Sequence, residues 1–439
     1  MRRFFIETWG CQMNVHDSER MAGILGAHGF AAAASAEEAD LILLNTCSVR
    51  EKAAAKVFHR LGRLRRLKRR NPDLLLGVCG CVAQLEGETI FRRAPWVDLV
   101  MGPRQVAQLG VLLERARRDG RSISLAHDDD PISFPSETAA RAPGPRAYVT
   151  VMEGCNKTCT FCIVPYTRGR EVYRPRADIL REVEDLAGRG FCEIELLGQN
   201  VNSWRDGNED LASLLRMIDR LPGVRRTRFT TSHPGHLNLP IMEAMRDVPT
   251  VCNHLHLPAQ SGSDRILKAM RRGYTRDRYV EKIDYLRRAV PGMAFSTDLI
   301  VGHPGESEDD FQATLALMRL VRFDQIYAFT FSPRPGTAAA AAPERVPETV
   351  KSERLQRLLA LQDEIVSDCN ASLVGRIFEI LIDGPSRMDA AIARGRTRCN
   401  RIVHVPAETP TRGGFLDVRI ARAHAHSLTG EPLRQAPAA

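Results

Sequence analysis

The chain reads as a multidomain α/β protein: an N-terminal doubly wound parallel α/β domain, a central partial (βα)6 barrel and a C-terminal small β-barrel. Three observations predict this. Strand and helix patterns alternate from the start to about residue 118. The alternation resumes after a polar, Pro-rich stretch and runs through six more strand–helix units. Near Asn370 it gives way to short β-type segments separated by Gly and Pro. The expected divisions are 1–120, a linker at 121–146, the barrel at 147–369 and the last module at 370–434.

In the first division FFIETWG reads as a short apolar strand and HDSERMAGILGAHGF as a helix. DLILLNT is a buried strand, followed by a long helix from Glu51 to Arg70. LLLGVCG and WVDLVMG are further strands, with a helical pattern from Arg104 to Arg117. Cys11 ends the first strand and Cys47 the second, while Cys79 and Cys81 both close the third. Ligands of open α/β sheets bind at the carboxyl ends of strands. Three successive strand ends bearing cysteine therefore predict a metal site there, with Cys79 and Cys81 both available as its third ligand.

The linker, HDDDPISFPSETAARAPGPR, precedes barrel strands at AYVTVME, FCEIELLGQ, RRTRFTTS, NHLHLP, MAFSTDLIVG and QIYAFTF. Helices are expected between them, as at 177–188 and 276–290. Six units give an open barrel, and its active-site face is the one where the first strand ends. There the stretch EGCNKTCTFCIVP places Cys155, Cys159 and Cys162 in a Cys-x3-Cys-x2-Cys pattern. A structural zinc site closes a tetrahedron with four protein ligands. A [4Fe–4S] cluster held by three thiolates instead leaves one iron open to bind something else.

The final segments, GRIFEILIDG, GRTRCNRIVHV and GFLDVRIARAHAHSLTGE, predict a compact five-stranded barrel with a basic surface suited to RNA. Arg396, Arg398 and Arg401 are its candidate phosphate contacts. Lys and Arg number 62 against 53 Asp and Glu, a net charge of +9, but the excess is uneven. RLGRLRRLKRR, residues 60–70, carries seven cations and no acid. Apolar residues at Ala54, Val57, Phe58, Leu61 and Leu64 bury the other face of that helix and display the cations together. A nucleic-acid partner is therefore plausible.

Among the 439 residues no apolar run reaches the ~18 of a membrane span. The N-terminus lacks a signal-peptide pattern. The 11 cysteines are odd in number and dispersed, as in a reducing cytoplasm. A cytoplasmic protein without a membrane partner is expected.

The three-cysteine motif, with Phe161 before its last cysteine, resembles the signature of the radical S-adenosylmethionine (SAM) superfamily. Together with TWGCQMN, NTCSVREKA, GCVAQ, LLGQNVNSW, HLPAQSGSDRILKAMRRGYTR and GRTRCNRIVH, it makes the whole chain resemble the radical SAM methylthiotransferase family, MiaB branch. The resemblance implies a radical SAM barrel, a C-terminal module of the TRAM type, and two [4Fe–4S] clusters. One cluster is held by Cys155, Cys159 and Cys162, the auxiliary one by Cys11, Cys47 and Cys81. It also implies SAM contacts at Phe161, Gly198, Gln199, Asn200, Ser296, Asp298 and Gly302.

The implied activity is insertion of a methylthio group at C2 of N6-isopentenyladenosine at position 37 of tRNA. SAM would serve as both methyl donor and radical source. The implied partners are the anticodon stem-loop carrying isopentenyladenosine, a low-potential electron donor and a sulfur donor, for a monomer. The sequence departs from the family pattern at Cys79 (usually Gly), His303 (often Phe) and Thr429 (commonly Arg). Rival readings are a methylthiotransferase for threonylcarbamoyladenosine or a ribosomal protein, and a non-enzymatic RNA-binding metal protein.

Overall fold

A computed structural model describes residues 1–48, 53–125, 139–386, 389, 391–406 and 412–433. The expected helix start at Glu51 and residues 126–138 of the expected linker lie outside that set.

The N-terminal domain is a six-stranded sheet: β1 (Arg2–Trp9), β2 (Phe30–Ala32), β3 (Leu41–Thr46), β4 (Leu75–Gly80), β5 (Leu99–Met101) and β6 (Ser122–Ser124). All its pairings are parallel, in the order β2-β1-β3-β4-β5-β6. Helices α1 (Gln12–Ala27), α2 (Ala53–Arg70), α3 (Cys81–Glu86), α4 (Thr89–Arg93) and α5 (Leu109–Asp119) connect the strands. Strands β3 and β4 are buried at every residue, which is why LILLNT and LLGVCG read as continuous apolar runs. The sheet reaches further than expected. Residues 122–124, assigned to the linker by their polarity, pair with β5 as an edge strand too short to show alternation.

The barrel strands are β7 (Arg146–Thr150), β10 (Glu193–Leu197), β13 (Arg226–Phe229), β14 (His254–His256), β15 (Ala294–Val301) and β16 (Gln325–Thr330). Two short hairpins decorate it: β8 (Met152–Glu153) with β9 (Val172–Tyr173), and β11 (Arg205–Asp206) with β12 (Glu209–Asp210). The parallel trios β13-β10-β7 and β14-β15-β16 meet through the bridge Thr227–Val251, leaving the barrel open between β16 and β7. One large apolar core lies between these strands and the helices outside them.

Past β8 the helices are α6 (Val164–Arg168), α7 (Arg176–Gly188), α8 (Leu211–Asp219), α9 (Leu239–Asp247), α10 (Asp264–Ala269), α11 (Arg276–Ala289), α12 (Glu308–Val321) and α13 (Glu348–Ala371). The 24 residues of α13 pack on β16 and α12 and lead into the last module.

That module is a closed barrel of β17 (Ile377–Pro385), β18 (Ile392–Thr397), β19 (Ile402–Pro406), β20 (Phe415–Ala423) and β21 (Leu428–Pro432), around Ile380, Val403, Val418 and Leu428. It docks on the amino ends of the barrel strands through buried arginines. Arg226 donates to the Arg396 carbonyl at 2.8 Å and to Glu379 Oε1 at 2.9 Å. Arg228 donates to the carbonyls of Thr397 and Arg398 at 2.8 and 2.9 Å, and Glu193 balances both guanidinium groups.

Removing one partner of a buried ion pair strands the other charge, at a cost of about 3–5 kcal/mol. Arg226→Ala is expected to loosen the C-terminal barrel first. Hydrogen exchange should show weakened protection across 377–432 while β3 and β4 remain protected.

Candidate functional site

The strand order of the N-terminal sheet reverses between β1 and β3, and crevices at such switch points bind ligands. Cys11 follows β1, Cys47 follows β3 and Cys81 follows β4. All three line one cavity of about 1400 Å³, which runs from the sheet through the open side of the barrel to the C-terminal module. Gly10 permits the close approach: a Cβ there would stand 2.8 Å from Cys47 Cβ. A hydrogen bond with Cys47 lowers the Cys11 thiol to about 6 against the effect of burial, and Arg168 reinforces it. Burial raises Cys81, with Arg168 opposing. Cys79 is placed differently. It packs among Met21, Leu25, Leu43 and Met101 in an apolar core, where burial pushes its thiol up to about 12.

The loop bearing Cys155, Cys159 and Cys162 is enclosed by the β8–β9 hairpin and lines a second cavity of about 370 Å³. Gly154 has φ +81, and a Cβ on it would fall 2.0 Å from the Arg170 carbonyl oxygen. Arg272 donates to Cys159 Sγ at 3.4 Å. Burial pushes Cys155 up to about 11 and Cys162 up to about 12. Among the described residues no three Cys, His, Asp or Glu side chains close around a single metal ion. A cubane cluster bonds each thiolate to a different iron, so its ligands stand further apart than those of one ion. Each trio, sharing one cavity beside a guanidinium that offsets thiolate charge, fits such a group.

The barrel lumen is the middle of the large cavity. Tyr148 on β7, Glu195 on β10, Arg228 on β13, His256 on β14, Asp298 on β15 and Tyr327 on β16 all face it. His256 Nδ1 lies 3.0 Å from Ser296 Oγ, which is 3.2 Å from His254 Nε2, and His256 Nε2 is 3.5 Å from Asp298 Oδ1. The sequence alone assigns this histidine pair no role. The inward positions recur every second residue, and that period is the available signal.

The other expected SAM-binding positions divide. Gly198, Gln199, Ser296 and Asp298 line the large cavity. Gln199 also accepts from the Gly154 amide, tying that turn to the cysteine loop. Asn200 is buried, donating to Glu171 Oε1 at 2.9 Å. Phe161 is half-buried and lines neither cavity. Gly302 has φ +75 and packs against the stem of Lys351 on α13, away from both cavities. His303 sits edge-on to Phe331, with Nε2 3.4 Å from Thr160 Oγ1 of the cysteine loop.

The three arginines expected to meet phosphates all make intramolecular bonds. Arg398 donates to the carbonyls of Pro249 and Val251 at 2.6 and 2.8 Å. Arg401 bonds Asp324 and Asn370. Arg396 donates to Asn400 Oδ1 at 2.8 Å, beside the cavity. Arg398 and Arg401 thereby help close the joint with the open barrel, a demand that a basic motif in sequence does not reveal, whereas Arg396 bonds within its own module.

Residues 3–102 match the family described as Uncharacterized protein family UPF0004, residues 149–318 the Radical SAM superfamily and residues 371–433 the TRAM domain. A tRNA-2-methylthio-N(6)-dimethylallyladenosine synthase of Halorhodospira halophila is 50% identical over 98% of this chain and 92% of its own. The one from Aromatoleum aromaticum is 46% identical over 98% and 99%. The chain belongs to this synthase family. Membership in the radical SAM superfamily implies SAM and a [4Fe–4S] cluster for the synthase. Among solved structures, the radical SAM methyltransferase TsrM from Kitasatospora setae aligns with a TM-score of 0.58 at 13% identity, covering 77% of both chains. The cobalamin-dependent enzyme OxsB aligns at 0.52 and 12%, over 82% of this chain and 56% of its own. Both likenesses concern the fold alone.

The synthase's tight glycine is testable. A non-Gly residue at this φ costs about 1–3 kcal/mol before any clash, so Gly154→Ala should destabilise the protein in denaturant titrations. Gly62 lies in α2 with nothing within 4 Å of its would-be Cβ. Gly62→Ala should instead stabilise by about 0.5–1 kcal/mol.

Proposed function

We propose that this enzyme inserts a methylthio group at C2 of N6-isopentenyladenosine 37 in tRNA, using SAM as methyl donor and radical source. The observation that carries the reading is the pair of cysteine trios, one lining the large cavity and the other the smaller one, in a chain of this synthase family. Cys155, Cys159 and Cys162 would hold the SAM-binding cluster, and Cys11, Cys47 and Cys81 a second, auxiliary one. When bound, a [4Fe–4S] cluster with an open iron supplies an electron to SAM.

The chain's own residues do the rest. Arg272 offsets charge on Cys159, and Gln199 braces the cysteine loop through the Gly154 amide. The His254–Ser296–His256–Asp298 chain offers donors and acceptors to the edges of a base that has left its stack.

Support for a tRNA partner comes from α2. Lys56 and His59 line the mouth of the large cavity. At helical spacing beyond them Arg63, Arg66 and Arg70 are exposed, while Val57, Leu61 and Leu64 are buried on the opposite face. This track, together with the TRAM module, would carry the stem phosphates. A low-potential electron donor and a sulfur donor complete the reaction of a cytoplasmic monomer. Among the described residues no helix is long and apolar enough to cross a membrane.

Nucleoside mass spectrometry of tRNA from cells lacking the gene tests the reading. The 2-methylthio derivative should vanish and N6-isopentenyladenosine accumulate. Cys155→Ala, Cys159→Ala or Cys162→Ala should abolish reductive SAM cleavage. Cys11→Ala, Cys47→Ala or Cys81→Ala should remove one cluster and all methylthiolation while SAM cleavage persists. Cys79→Ala should keep its full iron content; a deficit there, with full content in Cys81→Ala, would reverse the ligand choice.

Reversing Arg63, Arg66 and Arg70 to Glu should weaken tRNA binding. It should also flatten the slope of log affinity against log salt by about 0.7–0.9 for each phosphate that the helix no longer neutralises. Anisotropy titrations at several salt concentrations read both.

A further inference from the structure

The segments that carry the two cysteine trios are joined by four buried charges. Helix α1 begins immediately after Cys11 and carries Asp17 and Arg20. Glu153 precedes Cys155 by two residues, and Arg168 closes α6, six residues after Cys162. Arg168 Nη2 donates to Asp17 Oδ2 at 2.6 Å, and Arg20 Nη1 to Glu153 Oε1 at 3.4 Å. The ring closes with Arg168 Nη1 3.8 Å from Glu153 Oε2 and Arg20 Nη1 3.9 Å from Asp17 Oδ1. All four side chains are at most 5% exposed. Charge alternates around the ring, and each domain contributes one acid and one base.

We propose that this ring is a positioning device that fixes the separation and orientation of the two cysteine sites. Its members would couple SAM cleavage at one site to sulfur transfer at the other. The inference rests on the two-cluster reading above.

The physical argument is one of tolerance. Apolar surfaces can slide past one another at little cost, whereas buried charges demand bonded partners at short range. A shift of about one ångström between the domains would break the cross-domain bonds and leave charges unpaired in an interior. Both acids are anchored within six residues of a cysteine, so little chain lies between the ring and either site to absorb movement.

The test uses the full-length, reconstituted enzyme with tRNA. Asp17→Asn removes the strongest cross-domain charge and lies in neither cavity. It should keep two clusters' worth of iron and sulfide and cleave SAM at close to the normal rate. Methylthiolated nucleoside formed per 5′-deoxyadenosine should fall about tenfold or more, since misplacement by one ångström costs up to about a hundredfold. The dipolar interaction between the reduced clusters, read by pulsed EPR, should broaden as their separation becomes less defined. Asp17→Glu, which keeps the charge, should restore most of the coupling.

If Asp17→Asn folds poorly, Arg20→Gln, which breaks the other cross-domain bond of the ring and lines neither cavity, is read in its place. An unchanged product ratio with an unchanged dipolar signal overturns the proposal. A wild-type protein that holds only one cluster overturns the two-cluster reading itself, and iron analysis shows that before any variant is made.

Discussion

Two domain joints are closed by guanidinium groups taken out of water. Arg226 and Arg228 enter the joint with the C-terminal barrel, and Arg20 and Arg168 the joint with the N-terminal sheet. A buried guanidinium is costly unless its donors find acceptors, so such joints contribute little net stability and much discrimination between registers. The acceptors at the C-terminal joint are mostly backbone carbonyls, at residues 396–398 and 379. Carbonyls are fixed by the strands that present them, which makes the docking depend on the barrel's own pairing being complete.

That constraint explains the character of the lumen. A closed eight-stranded barrel fills its interior with apolar side chains. Here six strands leave a gap, and other domains cover it. Inward positions therefore carry Glu195, Arg228, His256 and Asp298, while the apolar core lies outside the strands under the helices. Aromatic members border the gap on both sides, Tyr148 on β7 and Tyr327 and Phe329 on β16, the last two 43% and 37% exposed. Aromatic rings beside these polar and charged groups offer stacking faces as well as hydrogen-bonding partners.

Much of this is legible in the sequence, for identifiable reasons. Buried parallel strands announce themselves as apolar runs, and cysteines at their carboxyl ends follow from the topology of the sheet. What sequence does not show is which way a side chain faces. Cys79 and Cys81 are two residues apart, yet the turn at Gly80, with φ +85, sends one into the core and the other to the cavity. Helix α13 escapes recognition because its buried stripe includes Lys351, Arg354 and Gln362. Those groups reach carbonyls and the Glu306 carboxylate, so no apolar period marks the helix. The arginines of GRTRCNR bond acceptors of the chain itself, which the motif does not announce, for a related reason. Positive charge in a motif indicates demand for acceptors without saying whether RNA or the chain's own backbone supplies them.

The wall built by Asn400, Arg401, Ile402 and Leu428 has a consequence in time. These residues follow the sheet and the open barrel along the chain, and domains fold largely in order of synthesis. The sheet and the open barrel can be complete while the chamber between them still lacks its floor. During that interval the chamber lined by Cys11, Cys47 and Cys81 is open on a side that later closes. Access to that chamber is therefore widest before the C-terminal barrel docks, after which it must proceed from the side of α2, where Lys56 and His59 line it.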